Sequence, residues 1–124
     1  MRGEGMSKKY LLIDFENIQK VDLNKVPGHF HVLIFVGMNQ KSMPFDLVSK
    51  TQPLGNRLEW KKVQGAGKDA LDFYLSYYVG RLCERDKEAE CIILSKDKGF
   101  DALIKCLVSE GRKCTRIEEL KDLK

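Results

Sequence analysis

The chain has 124 residues, of which 43% are hydrophobic and 32% charged, and its 22 Lys and Arg against 18 Asp and Glu give a net charge of +4. These values are ordinary for a soluble globular protein and exclude a mainly disordered chain or a large multi-domain enzyme. The sequence has no run of about 20 apolar residues, so we expect no membrane partner. A charge of this size permits nucleic-acid binding without demonstrating it.

Apolar runs of strand length alternate with segments of helical pattern along the chain. We predict, in chain order, strands at 10–15 and 31–36, a helix at 44–52, a strand at 58–63, a helix at 70–85, a strand at 91–94, a helix at 100–110, a strand at 113–117 and a short closing helix at 118–123. The first, second and fourth strand runs are almost continuously apolar, which is typical of parallel strands buried on both faces. The alternation predicts a three-layer α/β/α domain with a central parallel sheet of four to five strands.

Local signals fix the ends and buried faces of the helices. Ser42 is an N-cap candidate for the first helix, and Gly111 has the composition of a left-handed C-cap for the third. The apolar positions of the second and third helices recur at helical spacing. Those core stripes are Leu71, Leu75, Tyr78, Val79 and Leu82 in the second helix, and Leu103, Ile104, Leu107 and Val108 in the third.

The four cysteines and the first residues indicate the setting of the domain. The cysteines are Cys83, Cys91, Cys106 and Cys114, which have neither the close spacing of zinc ligands nor the density of a disulfide scaffold. We therefore predict buried, reduced thiols in a cytoplasmic protein. Residues 1–7 are interpreted as a disordered or vector-derived start, and residues 8–124 as one domain.

Acidic and polar residues follow the predicted strands where a parallel sheet binds its ligands, outside the strand carboxyl ends. Asp14 and Asn17 follow the first strand, Ser95 and Asp97 follow the fourth, and Asp72 stands at the start of the long helix. Crowded carboxylates repel one another and persist when positive charge compensates them. Mg²⁺ or Mn²⁺ fits such an all-oxygen cluster, which can activate water against a phosphodiester.

Each acid also has a structural interpretation. Asp14 could cap the turn after its strand, Asp97 could stabilise the turn that follows Ser95, and Asp72 could be a favourable acid in a first helical turn. We favour the ligand role for these three acids. Asp69 has the sequence context of a helix N-cap, and we favour capping there.

Three motifs together resemble the PIN-like nuclease fold, in its NYN branch. They are LLIDFEN at 11–17, ALD at 70–72 and ILSKDKGFD at 93–101, and the similarity extends over residues 10–117. The resemblance implies a sheet of order 3-2-1-4-5 and a metal-dependent endoribonuclease that leaves a 5′-phosphate and a 3′-hydroxyl.

The resemblance also implies roles for individual residues. Asp14, Asp72 and Asp97 match the metal-binding acids, Asn17 the residue that orients the first acid, and Ser95 the supporting hydroxyl. Many members carry a further acid where this chain has Gly99. Asp101 is the substitute, as an additional ligand or a water-positioning base, so the fourth ligand and the number of metal ions stay open.

Candidate substrate-binding residues lie near the same edge of the predicted sheet. Asn39, Gln40 and Lys41 belong to the loop after the second strand, Lys68 precedes the long helix and Lys96 adjoins Asp97. For each lysine taken alone, we favour a solvated surface charge. With Asn17 and Ser95, these residues complete the predicted site.

The sequence thus predicts a Mg²⁺- or Mn²⁺-dependent endoribonuclease that hydrolyses single-stranded or structured RNA. The alternative is a non-catalytic PIN-like module, inactive because of Gly99, that binds RNA or a protein partner. A homodimer with a longer RNA track is compatible with so small a chain. A phospho-acceptor switch domain, a third class, fits the motifs poorly.

Overall fold

Five parallel strands form the centre of the protein in a computed structural model, which describes residues 8–67 and 69–123. The strands are β1 (Lys9–Asp14), β2 (His31–Val36), β3 (Leu58–Lys62), β4 (Glu90–Leu94) and β5 (Lys113–Ile117). Their order is β3-β2-β1-β4-β5, and every neighbouring pair is parallel. This confirms the predicted order and layer architecture. The predictions for residues 1–7 and for Lys68 lie outside the described residues.

The strand order reverses beside β1. The chain moves outward from β1 through β2 to β3 and then crosses back to β4, on the other side of β1. In the β1–β4 pair Ile13 lies opposite Leu94, so the residues that follow both strands emerge at one edge of the sheet. That edge is the switch point at which open α/β sheets bind ligands.

Helices cover both faces of the sheet. They are α1 (Phe45–Thr51), α2 (Ala70–Arg85) and α3 (Phe100–Ser109), with short 3₁₀ turns at Leu23–Lys25, Gln52–Arg57 and Leu120–Asp122. The predicted bounds of α2 are confirmed, whereas the predicted closing helix is only a 3₁₀ turn. The predicted Ser42 cap is wrong, because Pro44 occupies the N-cap position of α1 and no side chain caps that helix.

The two faces of the sheet bury separate apolar clusters. Leu12, Phe35 and Ile93 point towards α2 and α3, whereas Ile13 and Ile34 point towards α1 and the loops around it. These residues alternate along the strands because successive side chains point to opposite faces. The central sheet is therefore rigid at the edge where the polar residues emerge.

The outer side of α3 differs from its prediction. Leu103, Ile104 and Leu107 face the core, but Val108 is 54% exposed and Cys106 is also exposed. Both lie roughly 100° around the helix from the centre of the buried stripe, where they face solvent. The prediction of buried thiols is therefore confirmed for the other three cysteines, which are Cys83, Cys91 and Cys114, and is wrong for Cys106.

The predicted end of α3 is confirmed. Gly111 adopts a φ of 82°, and its N–H donates to the carbonyl of Val108 at 3.0 Å. The N–H of Arg112 donates to the carbonyl of Leu107 at 2.9 Å. These two bonds form a Schellman motif, which turns the chain directly into β5.

No helix within residues 8–67 and 69–123 combines the length and apolarity that a bilayer crossing demands.

Candidate active site

Asp14, at the end of β1, is fully buried and accepts four hydrogen bonds. Its Oδ1 accepts the backbone N–H groups of Glu16 at 3.2 Å and Asn17 at 3.3 Å. Its Oδ2 accepts the Asn17 side-chain amide at 3.0 Å and the Ser95 hydroxyl at 2.7 Å. Since a carboxylate offers about four acceptor positions, Asp14 is saturated by protein donors.

Ser95 connects this buried acid to the loop after β4. Its hydroxyl donates to Asp14 and accepts the backbone N–H of Asp97 at 3.0 Å. The Oδ1 of Asp97 then accepts the backbone N–H of Gly99 at 2.8 Å. The position of the Asp97 carboxylate therefore depends, through Ser95, on Asp14.

Asp72 reaches the same crevice from the first turn of α2. Its carboxyl group lies within hydrogen-bonding reach of Asp97. Burial, followed by the charges of Asp97 and Asp14, raises the pKa of Asp72 to about 7. Acids from β1, α2 and the β4–α3 loop thus lie close enough for their charges to affect Asp72.

Asp101 lies elsewhere, in the first turn of α3, and is bound by Arg116 of β5. Arg116 Nε donates to Asp101 Oδ1 at 2.8 Å, and this hydrogen bond lowers the pKa of Asp101. The same guanidinium donates to Glu118 at 2.9 Å and to the Ser95 carbonyl at 3.0 Å. Asp101 is also absent from the acids that raise the pKa of Asp72. The pair that the structure brings together is therefore Asp72 and Asp97.

Gly99 stands close against Asp97. A Cβ atom at position 99 would lie 3.0 Å from Asp97 Oδ1, closer than most real Cβ contacts. A larger residue there would push on the carboxylate that the Gly99 N–H binds. Glycine at position 99 therefore leaves the Asp97 carboxylate room that a larger side chain would take.

The comparison with family models bears on this geometry. A model described as PIN domain matches residues 8–117, which include all five strands and all three helices. The chain belongs to the PIN domain family. PIN domains are generally nucleases and commonly use divalent metal ions. No curated protein and no solved structure matches the chain.

The PIN domain's acids are suited to a hard divalent cation. Among the residues that the structure describes, no group of three or more His, Cys, Asp or Glu side chains is assembled to hold a metal. Mg²⁺, however, is commonly held by one or two carboxylates together with water and substrate phosphate. The Asp72–Asp97 pair offers such donors, and a bound cation would relieve the repulsion that raises the pKa of Asp72.

The loop after β2 lines a cleft of about 290 Å³ in the PIN domain. The cleft is lined by Asn39, Gln40 and Lys41 and also by Glu16 and residues 65–67. The Gln40 side chain donates to the Ser42 carbonyl at 2.8 Å and so holds the loop itself. Burial and the charge of Asp14 raise the pKa of Glu16, which places this cleft next to the acids.

A larger cleft, of about 940 Å³, lies at the same edge of the sheet, on its α1 side. Asn17 and Lys96, both predicted site residues, line it. The sequence analysis missed the other lysines there, which are Lys20, Lys25, Lys50 and Lys121. They come from segments that lie near the strand carboxyl ends or in α1, so the predicted topology could have grouped them. Asp22, Asp46, Glu118 and Glu119 line the same cleft, and Lys50 and Lys121 form ion pairs with Asp22 and Glu119, so its charge is mixed with a small excess of lysines.

Proposed function

We propose that this PIN domain is a Mg²⁺- or Mn²⁺-dependent endoribonuclease of the NYN branch. The observation that carries the proposal is the convergence of Asp72 and Asp97 beside the buried Asp14, at the strand-order reversal between β1 and β4. Membership of a family of nucleases supports the same activity and suggests RNA as the substrate.

The acids have two different roles in this proposal. Asp72 and Asp97 hold the cation, and Asp14 positions Asp97 through Ser95. A divalent cation at this place would neutralise the scissile phosphate and favour attack by water. Asp14 is nearest to the pair but has its acceptor positions filled by four donors, so it acts chiefly through the hydrogen-bond network.

Asn17 fits the proposed support of Asp14, since both its backbone and its side chain donate to that acid. Asp101 as an additional ligand or base stays a prediction that requires the carboxylate to leave Arg116. The backbone of RNA would follow Lys96 and the lysines of the larger cleft, with Asn39, Gln40 and Lys41 on the other side. Lys68 is a further candidate from the sequence.

The test is cleavage of an end-labelled single-stranded RNA with Mg²⁺, with Mn²⁺ and with EDTA. Asp97→Asn should lower the rate by a factor of about 10³ or more, because one of the two proposed ligands loses its charge. Asp122→Asn is the matched control, since Asp122 is an exposed acid on the 3₁₀ turn after β5. Equal metal-dependent cleavage by wild type and Asp97→Asn would refute the assignment.

A second function, the non-catalytic RNA- or protein-binding module, is favoured by one observation. The only substitute for the acid missing at Gly99 is Asp101, and Asp101 is bound by Arg116. Such a module would bind RNA in EDTA and cleave none with either metal. The cleavage series above therefore separates the two functions directly.

A further inference from the structure

The outer face of α2 carries two large aromatic side chains that the core does not use. Phe73 is 73% exposed and Tyr77 is 59% exposed. Arg81 follows after four more residues and is also exposed. Side chains four residues apart are neighbours on a helix, so the three form one continuous row. We name Phe73, Tyr77 and Arg81 the α2 aromatic strip.

The strip is held in place by aromatic and cationic contacts beneath it. The Tyr77 ring meets Tyr78 edge-on, at 5.3 Å between ring centres, and Tyr78 in turn packs on the buried Phe35 at 5.6 Å. The Arg81 guanidinium lies 5.6 Å from the Tyr77 ring and 5.5 Å from the Tyr78 ring. Lys61 lies over Tyr78 at 4.7 Å. The aromatic surface is therefore supported from below and flanked by positive charge.

The strip begins near the proposed catalytic crevice. Phe73 directly follows Asp72, whose carboxyl group lies beside Asp97. Successive side chains on a helix point about 100° apart, so a strand bound on the strip has to pass around the first turn of α2 to reach the acid pair. From Phe73 to Arg81 the helix rises about 12 Å at 1.5 Å per residue.

The chemistry of the row selects among possible occupants. Exposed aromatic faces accept stacked bases of any identity, and a neighbouring arginine binds phosphate or stacks as well. Bases inside a duplex already stack on one another and are not available to such a surface. Arg81 complements a polyanion, whereas the Lys61 ammonium is paired with Glu59 at 2.9 Å.

We propose that the α2 aromatic strip binds single-stranded RNA on its way to or from the acid pair. Bases stack on Phe73 and Tyr77, and Arg81 contacts the phosphate backbone. The proposal rests on the proposed function for its substrate class and adds to it a preference for unpaired strands. It also assigns the course of the bound strand, along the outer face of α2.

The test measures binding in EDTA, where cleavage is absent. The probe is a fluorescein-labelled oligouridylate of about 12 nucleotides, read by fluorescence anisotropy. The double variant Phe73→Ala/Tyr77→Ala should raise the dissociation constant about tenfold or more, because two stacking surfaces are lost. Arg81→Gln should weaken binding and reduce the slope of log affinity against log salt by about 0.7.

Phe45→Ala is the matched control, since Phe45 is 81% exposed but lies on α1, on the other side of the sheet. Equal affinities of the Phe73/Tyr77 and Phe45 variants would overturn the proposal that the strip binds RNA. So would an equal loss of affinity for a blunt duplex of the same length, or conversion of a wild-type dimer into a monomer by Phe73→Ala in sedimentation velocity.

The same assay separates this proposal from the nuclease proposal. Asp97→Asn should bind the oligouridylate at least as tightly as wild type in EDTA, because it removes a negative charge near the strand. If binding depends on the strip but no metal-dependent cleavage occurs, the RNA-binding role of the strip is supported and the nuclease proposal is refuted. If Phe73→Ala/Tyr77→Ala changes neither the cleavage rate nor the affinity, the nuclease proposal is supported and the RNA-binding role of the strip is refuted.

Discussion

Asp14 and the Asp72–Asp97 pair lie at the same edge of the sheet in opposite electrostatic environments. Asp14 is fully buried, yet four donors surround its two oxygens. The pair is only partly exposed, and its burial, followed by the facing Asp97, raises the pKa of Asp72 to about 7. The cost of a carboxylate therefore depends on the donors around it as well as on its burial.

The contrast divides the site into a support and a working part. A carboxylate that protein donors already satisfy contributes to stability and fixes its neighbours. Two facing carboxylates repel each other when both are ionised, and a cation between them can relieve that repulsion. The order of the following substitutions, from large to small effect, tests that division.

Asp14→Leu should produce the largest loss of stability. The change leaves the Ser95 hydroxyl without its acceptor in a fully buried position and removes the bonds that hold Asn17 and the Glu16 backbone. We expect the free energy of unfolding to fall by about 3 kcal/mol or more, since each unsatisfied buried donor costs about 1–3 kcal/mol. Urea denaturation measures it, and Asp122→Leu at an exposed site is the control. A loss no larger than that of the control would mean that Asp14 is not the support.

Gly99→Asp should sharpen the contrast by adding a third carboxylate to the pair. Its Cβ crowds Asp97 Oδ1, and its charge repels both Asp72 and Asp97. We expect the free energy of unfolding to fall by about 1–2 kcal/mol in EDTA, and millimolar Mg²⁺ should restore part of this loss. Gly99→Ala isolates the crowding of the Cβ atom, so only the aspartate variant should respond to Mg²⁺ in thermal melts. An equal response of both variants would contradict the proposal.

Asp72→Asn should gain stability in EDTA, but only at higher pH. The native pKa of about 7 lies above the unfolded value of 3.8, so the native wild type binds more protons between these two pH values. Its stability therefore falls as the pH rises from about 4 to 7, and the asparagine variant lacks this fall. Since Asp72 is partly exposed, we expect the variant to gain roughly 1 kcal/mol in the free energy of unfolding at pH 8, which corresponds to a rise of about 4 °C in the melting temperature.

Melting curves in EDTA at pH 5 and pH 8 check this expectation. The variant should gain stability relative to wild type from pH 5 to pH 8 and be the more stable protein at pH 8. A constant difference at both pH values would show that Asp72 does not titrate in the range that its burial and neighbours imply.

Arg116→Gln should have the smallest effect, because its partner Asp101 is exposed and its partner Glu118 only half-buried. Arg116 lowers the pKa of both acids, so the stability from this contact is present above their ordinary pKa values. It is lost as the pH falls through their lowered values, and the difference from wild type should narrow in acid. Melts at pH 7 and pH 3 test this. The variant also frees Asp101, so increased metal affinity would identify Asp101 as an additional ligand.

The fold could be predicted because each element carries its own signal. The apolar runs of β1, β2 and β4 mark central parallel strands, and the stripe of α2 is complete enough to give both of its ends. The order of the strands came from the family resemblance, since apolar runs do not specify which strands are neighbours.

The site was predictable as far as contacts are local to strand ends. Asp14, Ser95 and Asp97 meet because β1 and β4 pair, and the motifs identified both. The contact between Asp101 and Arg116 depends on how α3 packs on β5, which no local pattern encodes. The exposure of Phe73 and Tyr77 could have been predicted, because both lie about 150–170° around α2 from the centre of its core stripe.

The uneven burial of the four cysteines gives the protein its own reporter of unfolding. Cys83, Cys91 and Cys114 lie beneath α2 and α3, and burial raises the pKa of Cys114 to about 12. A thiol reagent should therefore modify Cys106 at once and the other three only when the sheet opens. The ratio of slow to fast labelling would then measure how often this face of the sheet opens under native conditions.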